Sequence, residues 1–161
     1  MSQSVPPPPS GNPFADHAYP QAPAPAPMRD NVGLGVAAAF AAALVTAGIY
    51  GGIIGATEYQ IGFAAVAVGY LIGLAAGKAG GANPALPVVA AILSLGAVYF
   101  GQLLGLAIAA SDLLHVTVTE LLFQRFEFLT SLWKEDAGPM TFLFLAIGAY
   151  AAFSAAKKTA A

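Results

Sequence analysis

The chain has 161 residues, of which 58% are hydrophobic and 9% charged. Six Lys or Arg and eight Asp or Glu cannot give a soluble domain of this length its polar shell, so lipid is expected to be the main solvent. A formal charge of -2 excludes the basic stripe that nucleic acid binding requires, and the lack of cysteine excludes disulfide, thiolate-metal and thiol redox chemistry.

Residues 1–31 hold nine of the twelve prolines, among them Pro6 to Pro9 and the alternating Pro23, Pro25 and Pro27. This composition predicts a disordered Pro-rich tail of polyproline II character. The first long apolar run begins only after these prolines, so no cleaved secretory signal is expected.

Uncharged stretches then run from Gly33 to Thr57, Ile61 to Gly77, Leu86 to Ala110 and Met140 to Ala156. A helix needs about 17 to 25 apolar residues to cross the hydrocarbon. The expected fold is therefore all-α: a polytopic membrane protein with four transmembrane helices within residues 32–157, followed by a C-terminal tail at 158–161. The second and fourth stretches are at the short limit. Either they draw in flanking residues, or the second is a re-entrant partner of the first.

Punctuation supports these boundaries. Glu58 and Gln60 form a tight polar turn, which makes the first two spans antiparallel neighbours. Gly80 and Gly81 close the second span, and Asn83 and Pro84 supply an N-cap and a first-turn residue for the third. Gly138 and Pro139 open the fourth in the same way.

Between the third and fourth spans lies the charged segment Ser111 to Asp136. At 100° per residue, Leu114, Val118, Leu121, Leu122, Phe128, Leu129 and Leu132 gather on one side. Asp112, Thr119, Glu120, Gln124, Glu127, Thr130 and Lys134 gather on the other. One amphipathic helix over about residues 112–134 is expected, with Trp133 near its end. It either lies among lipid headgroups or packs over the end of the bundle.

Basic residues set the orientation. Arg29, Lys78, Lys157 and Lys158 fall on the side of the termini, against Arg125 and Lys134 on the other, so both termini are expected in the cytoplasm.

Small residues at four-residue spacing are the strongest internal pattern: Gly48 with Gly52, Gly51 with Gly55, Gly69 with Gly73 and Gly77, Gly101 with Gly105, and Gly148 with Ala152. They suit close helix packing, within one bundle or between copies of the chain. Three polar residues are functional candidates: Glu58, Gln102 and Arg125. Glu58 is read either as a hydrated turn residue or as a proton or cation site. Arg125 falls near the middle of the apolar side of the amphipathic helix and must snorkel toward phosphates or pair with an acid such as Glu58. Ser94, Tyr99, Gln102, Tyr50, Tyr70 and Tyr150 are expected to make interhelical hydrogen bonds. His17 and His115 lack companions for a metal set, and no acid-base pair or phosphate-cradling loop is apparent, so neither an enzyme nor a cofactor is expected.

The run Thr57-Glu-Tyr-Gln-Ile-Gly-Phe-Ala-Ala-Val-Ala-Val-Gly-Tyr-Leu-Ile-Gly-Leu-Ala75, a third apolar span, and Phe142-Leu-Phe-Leu-Ala-Ile-Gly-Ala-Tyr-Ala-Ala-Phe153 resemble a family of bacterial four-helix integral membrane proteins. In that family a Thr-Gly-Tyr-Glu-Ile-Gly type turn opens the second helix; here Glu58 precedes Tyr59. The resemblance covers roughly residues 33 to 156. It implies four helices and a bacterial inner-membrane location, and no reaction.

The expected function is a non-enzymatic membrane scaffold or accessory subunit whose proline tail recruits a protein partner. The alternative is a small oligomeric channel or transporter component, with Glu58, Gln102 or Arg125 facing water. Membrane lipid, a partner for the tail and a homo- or hetero-oligomer are the interactions these readings imply.

Overall fold

A computed structural model describes residues 30–160, so the proline tail lies outside the described residues apart from Asp30 and Asn31. The chain forms α1 (Val32–Thr57), α2 (Gly62–Gly80), α3 (Ala85–Leu114), α4 (Val118–Phe123), α5 (Phe126–Asp136) and α6 (Pro139–Thr159). Four of these, α1, α2, α3 and α6, are long and apolar enough to cross a membrane. α2 and α6 span 19 and 21 residues, longer than the uncharged stretches alone, because the helices continue through Lys78 and through Lys157 and Lys158. Lysine stems can follow a helix to the interface while the ammonium stays in water.

Local chemistry fixes the helix ends. The Asn31 side chain accepts from the Leu34 amide at 3.2 Å and starts α1. Glu58 stops it in the left-handed conformation, φ 58°, its amide donating to the Ile54 carbonyl at 2.7 Å. Gly81, φ 78°, ends α2 where a side chain would be strained. α3 starts one residue later than the Asn83-Pro84 reading, yet the Asn83 side chain still accepts from the Ala85 amide at 2.9 Å.

α1 packs on α2 and α3, α6 packs on the same two helices, and α2 meets α3 across the middle, which leaves α1 and α6 at opposite corners. α2 runs back to the start of α1: the Asn31 amide donates to the Gly80 carbonyl at 3.0 Å, and the Asn83 amide group holds the Asp30 carboxylate at 3.1 and 3.3 Å. At this end all four long helices finish together. The other end is stepped. From Ser94, flanked by Gly69 and Gly148, α3 reaches Gly101 over the same rise that brings α2 back to its first residue and α6 back to Thr141. α1 and α3 then continue together, with Gly51 against Gly101, Gly105 against Ile54 and Gly55 against Ile108.

The interior is built of small residues, including Ala39, Ala65, Ala76, Ala90, Ala97, Ala152 and Ala156, while Phe40, Leu44, Ile49, Ile92, Phe100 and Tyr150 point outward. Large apolar groups outside and small ones inside suit a bundle solvated by lipid, where helices gain from close backbone approach and nothing from hiding leucine.

The single amphipathic helix expected over residues 112–134 is replaced by three pieces: α3 extends to Leu114, then α4 and α5 follow as separate helices. The β-branched run Val116-Thr117-Val118-Thr119 disfavours helix continuation. His115 closes α3 at φ 53°, and the Thr117 side chain caps α4 by accepting from the Glu120 amide at 3.2 Å. A second break at Gln124 and Arg125 separates α4 from α5, with both amides donating to the Glu120 carbonyl. The two short helices fold back along α3. Leu121 and Leu129, both fully buried, meet Leu103 and Ala107, with Tyr99, Leu106, Leu122 and Trp133 around them.

Candidate functional site

At the stepped end, between the α1–α2 turn, the middle of α3 and the start of α6, lies a cavity of about 110 Å³ lined by Tyr50, Gln60, Gly62, Gln102, Met140, Thr141 and Phe144. Its position follows from the step: α2 and α6 begin at this level, so their first turns meet the side chains of two helices that pass beyond them. Gly62 at the head of α2 faces the Phe144 ring, and a Cβ there would overlap it.

Gln102 is the centre of the site. It is 3% exposed, and its Oε1 accepts from the Trp133 indole Nε1 at 2.6 Å, which ties α5 to α3. Trp133 is held edge-on by Tyr99, ring centroids 4.9 Å apart, and by Phe142 of α6 at 6.0 Å. The Tyr50 side chain lies against Gln102 from α1. At the rim, the Gln60 side-chain amide donates to Asp136 Oδ2 at 3.0 Å and links the α1–α2 turn to the end of α5. Trp133 of α5 and Tyr50 of α1 thus meet Gln102 of α3, with Thr141 of α6 on the same cavity wall.

The three polar candidates read from sequence do not share this site. Gln102 lies within it. Glu58 sits exposed at the end of α1, where its backbone closes the helix. Arg125 pairs with Glu120 at 3.5 Å and not with Glu58, because the break before α5 removes it from the middle of an apolar face and leaves it exposed at the α5 N-cap. His115 serves as the C-cap of α3.

The remaining polar side chains divide. Tyr99 meets Trp133 edge-on; Tyr70 and Tyr150 are exposed on the outer surface. Ser94 is fully buried between Gly69 and Gly148, and its hydroxyl has no hydrogen-bond partner among the described residues. Sequence reasoning did not single out Thr141 or the pairing of Gln60 with Asp136. The only available signal was the cluster of polar residues near helix ends, and nothing in it reveals a link between positions 76 residues apart.

The glycines at four-residue spacing separate into three groups, two of them occupied and one open. A Cβ at Gly69, Gly73 or Gly77 would overlap the backbone of α6, at Gly148, Ala152 and Ala156 respectively. Gly51, Gly101, Gly105 and Gly55 bring α1 against α3, where a Cβ would meet Leu104, Tyr50, Ile54 and Ile108. Gly48 and Gly52 have nothing within 4 Å of where a Cβ would stand. The shared spacing therefore conceals two environments, because a helix wheel places each glycine on a face without saying which faces are occupied.

Neither family models nor curated proteins nor solved structures yield a match to this chain.

Proposed function

We propose that this protein is a non-enzymatic membrane scaffold or accessory subunit: a rigid four-helix body that holds other components in the bilayer, with the Pro-rich segment at residues 1–31 recruiting a partner. The observation that carries this reading is the way the bundle is filled. Backbone meets backbone at Gly35 with Gly80, Gly51 with Gly101, Gly69 with Gly148 and Gly73 with Ala152. Such contact leaves little freedom for the helices to slide, which suits an anchoring body. Function then falls to surfaces. The outward flank of α1, where Gly48 is open beside the exposed Leu44 and Ile49, offers one of them.

A photocrosslinker at Ile49, activated in native membranes, tests the reading. One heterologous companion in stoichiometric yield is expected. Adducts confined to lipid would overturn it. Deletion of residues 1–27 should remove a partner held by the tail and leave the α1 adduct in place; an unchanged set of companions would remove the recruitment part.

The polar cavity at Gln102 favours a second reading, a subunit of a small oligomeric channel or transporter. This reading predicts solute flux in vesicles carrying the reconstituted protein, altered by Gln102→Leu. Absence of flux in the parent protein would dispose of it.

A further inference from the structure

The cavity at the stepped end gathers three side chains able to hydrogen-bond, Gln102, Thr141 and Tyr50. Gln102 accepts from Trp133 through its carbonyl oxygen, and its amide group is also hydrogen-bonded with the Tyr50 side chain, which leaves one of the two amide N–H bonds for a further acceptor. The Thr141 side chain, 8% exposed, brings a hydroxyl that can donate and accept to the same wall. The Tyr50 hydroxyl, on a residue 2% exposed, adds a group that can donate and accept. These three groups come from α1, α3 and α6 and line one space.

The wall also limits what can enter. None of its seven residues is ionisable near neutral pH, and Phe144, Met140 and Gly62 supply its apolar part. Asp136, held by the lining residue Gln60, is already engaged in a hydrogen bond. A charge would lose its hydration here without gaining a counter-charge, whereas a neutral polar molecule could exchange water for Gln102, Thr141 and Tyr50. The volume of about 110 Å³ corresponds to roughly four water-sized groups.

We propose that this cavity binds a small uncharged solute with both a hydrogen-bond donor and an acceptor, of the size and chemistry of a primary amide or a short polyol. The Gln102 amide nitrogen donates to the acceptor of the solute, and the Thr141 and Tyr50 hydroxyls receive its donor. Entry passes the Gln60–Asp136 hydrogen bond at the rim. This assignment is independent of the scaffold reading and requires no transport across the bilayer.

The chain carries its own reporter, because its single tryptophan, Trp133, is hydrogen-bonded to Gln102. The full chain in lipid nanodiscs, titrated with acetamide or glycerol, should show a saturable change in Trp133 emission. Acetate, matched to acetamide in size but charged, should act at least tenfold more weakly. Thr141→Val keeps the shape of the wall and the Trp133 bond, and should weaken the acetamide response at least tenfold. Tyr50→Phe serves the same purpose if the threonine variant fails to fold, as judged by its circular dichroism. A response that is linear for every solute, equal for acetate and acetamide, or unchanged in a folded variant would overturn the assignment.

Discussion

Along the seam between α2 and α6 the nearest neighbours of Gly69 and Gly73 are backbone atoms of Gly148 and Ala152, while under the cover formed by α4 and α5 the contacts are side chains, Leu121 and Leu129 against Leu103 and Ala107. The two regions bury their residues by opposite means, for reasons rooted in their solvents. The seam joins two helices long and apolar enough to cross a membrane, where leucine gains nothing by leaving lipid, so association depends on dispersion and weak Cα–H···O contacts across a close approach. The cover carries charge on its outer side and leucine on its inner side, so apolar burial can drive it as it drives a soluble core. One part of the molecule is specified by what is missing from its side chains and the other by what is present.

Substitutions can break this contrast. The largest effect is expected for Gly73→Leu, because the new side chain must occupy the position of the Ala152 backbone. A loss exceeding roughly 4 kcal/mol, read from the unfolding midpoint in detergent with α2 and α6 separating, would fit a backbone-limited seam. Leu129→Ala comes next, with a loss of about 3 kcal/mol from an emptied, fully buried position. That loss should fall on α4 and α5 alone, so proteolysis near Arg125 should accelerate while the seam still protects α2 and α6. Trp133→Phe keeps a ring against Tyr99 but removes the donor to Gln102, and should cost about 1–2 kcal/mol by the same unfolding measurement. The smallest change, of opposite sign, is expected for Gly48→Ala: open space accepts the methyl group, and helix propensity should raise stability by up to about 1 kcal/mol. Equal damage from Gly48→Ala and Gly73→Ala would remove the distinction between open and occupied glycines.

The long helices were legible in the sequence because apolar length is counted directly, and their ends because Gly81, Asn83 and Gly138 act locally. The break inside the charged segment was harder to see. A helical wheel assumes an unbroken helix, so the good separation of Leu121 and Leu129 from Glu120 and Glu127 hid the β-branched run before α4 and the reset of phase at Arg125. That reset accounts for the misplaced Arg125, whose partner is the local Glu120. Gln102 was visible as a polar residue in an apolar span, whereas its surroundings depend on contacts from α1, α5 and α6 that no local pattern encodes.

The step at one end of the bundle bears on the membrane around it. α2 and α6, with 19 and 21 residues, are about 28 and 32 Å long and match a hydrocarbon layer of about 30 Å. α1, with 26 residues, is about 39 Å long, uncharged throughout, and carries the exposed Ile49 and Ile53 near its far end. Among the described residues α3 packs on one side of that overhang while neither α4 nor α5 reaches α1, so one flank of the protein asks for a thicker bilayer than the other. In a bilayer, lipids beside α1 would have to stretch or the whole body to lean, and either response would draw the protein, flank first, toward thicker patches of membrane or toward neighbours with the same excess length.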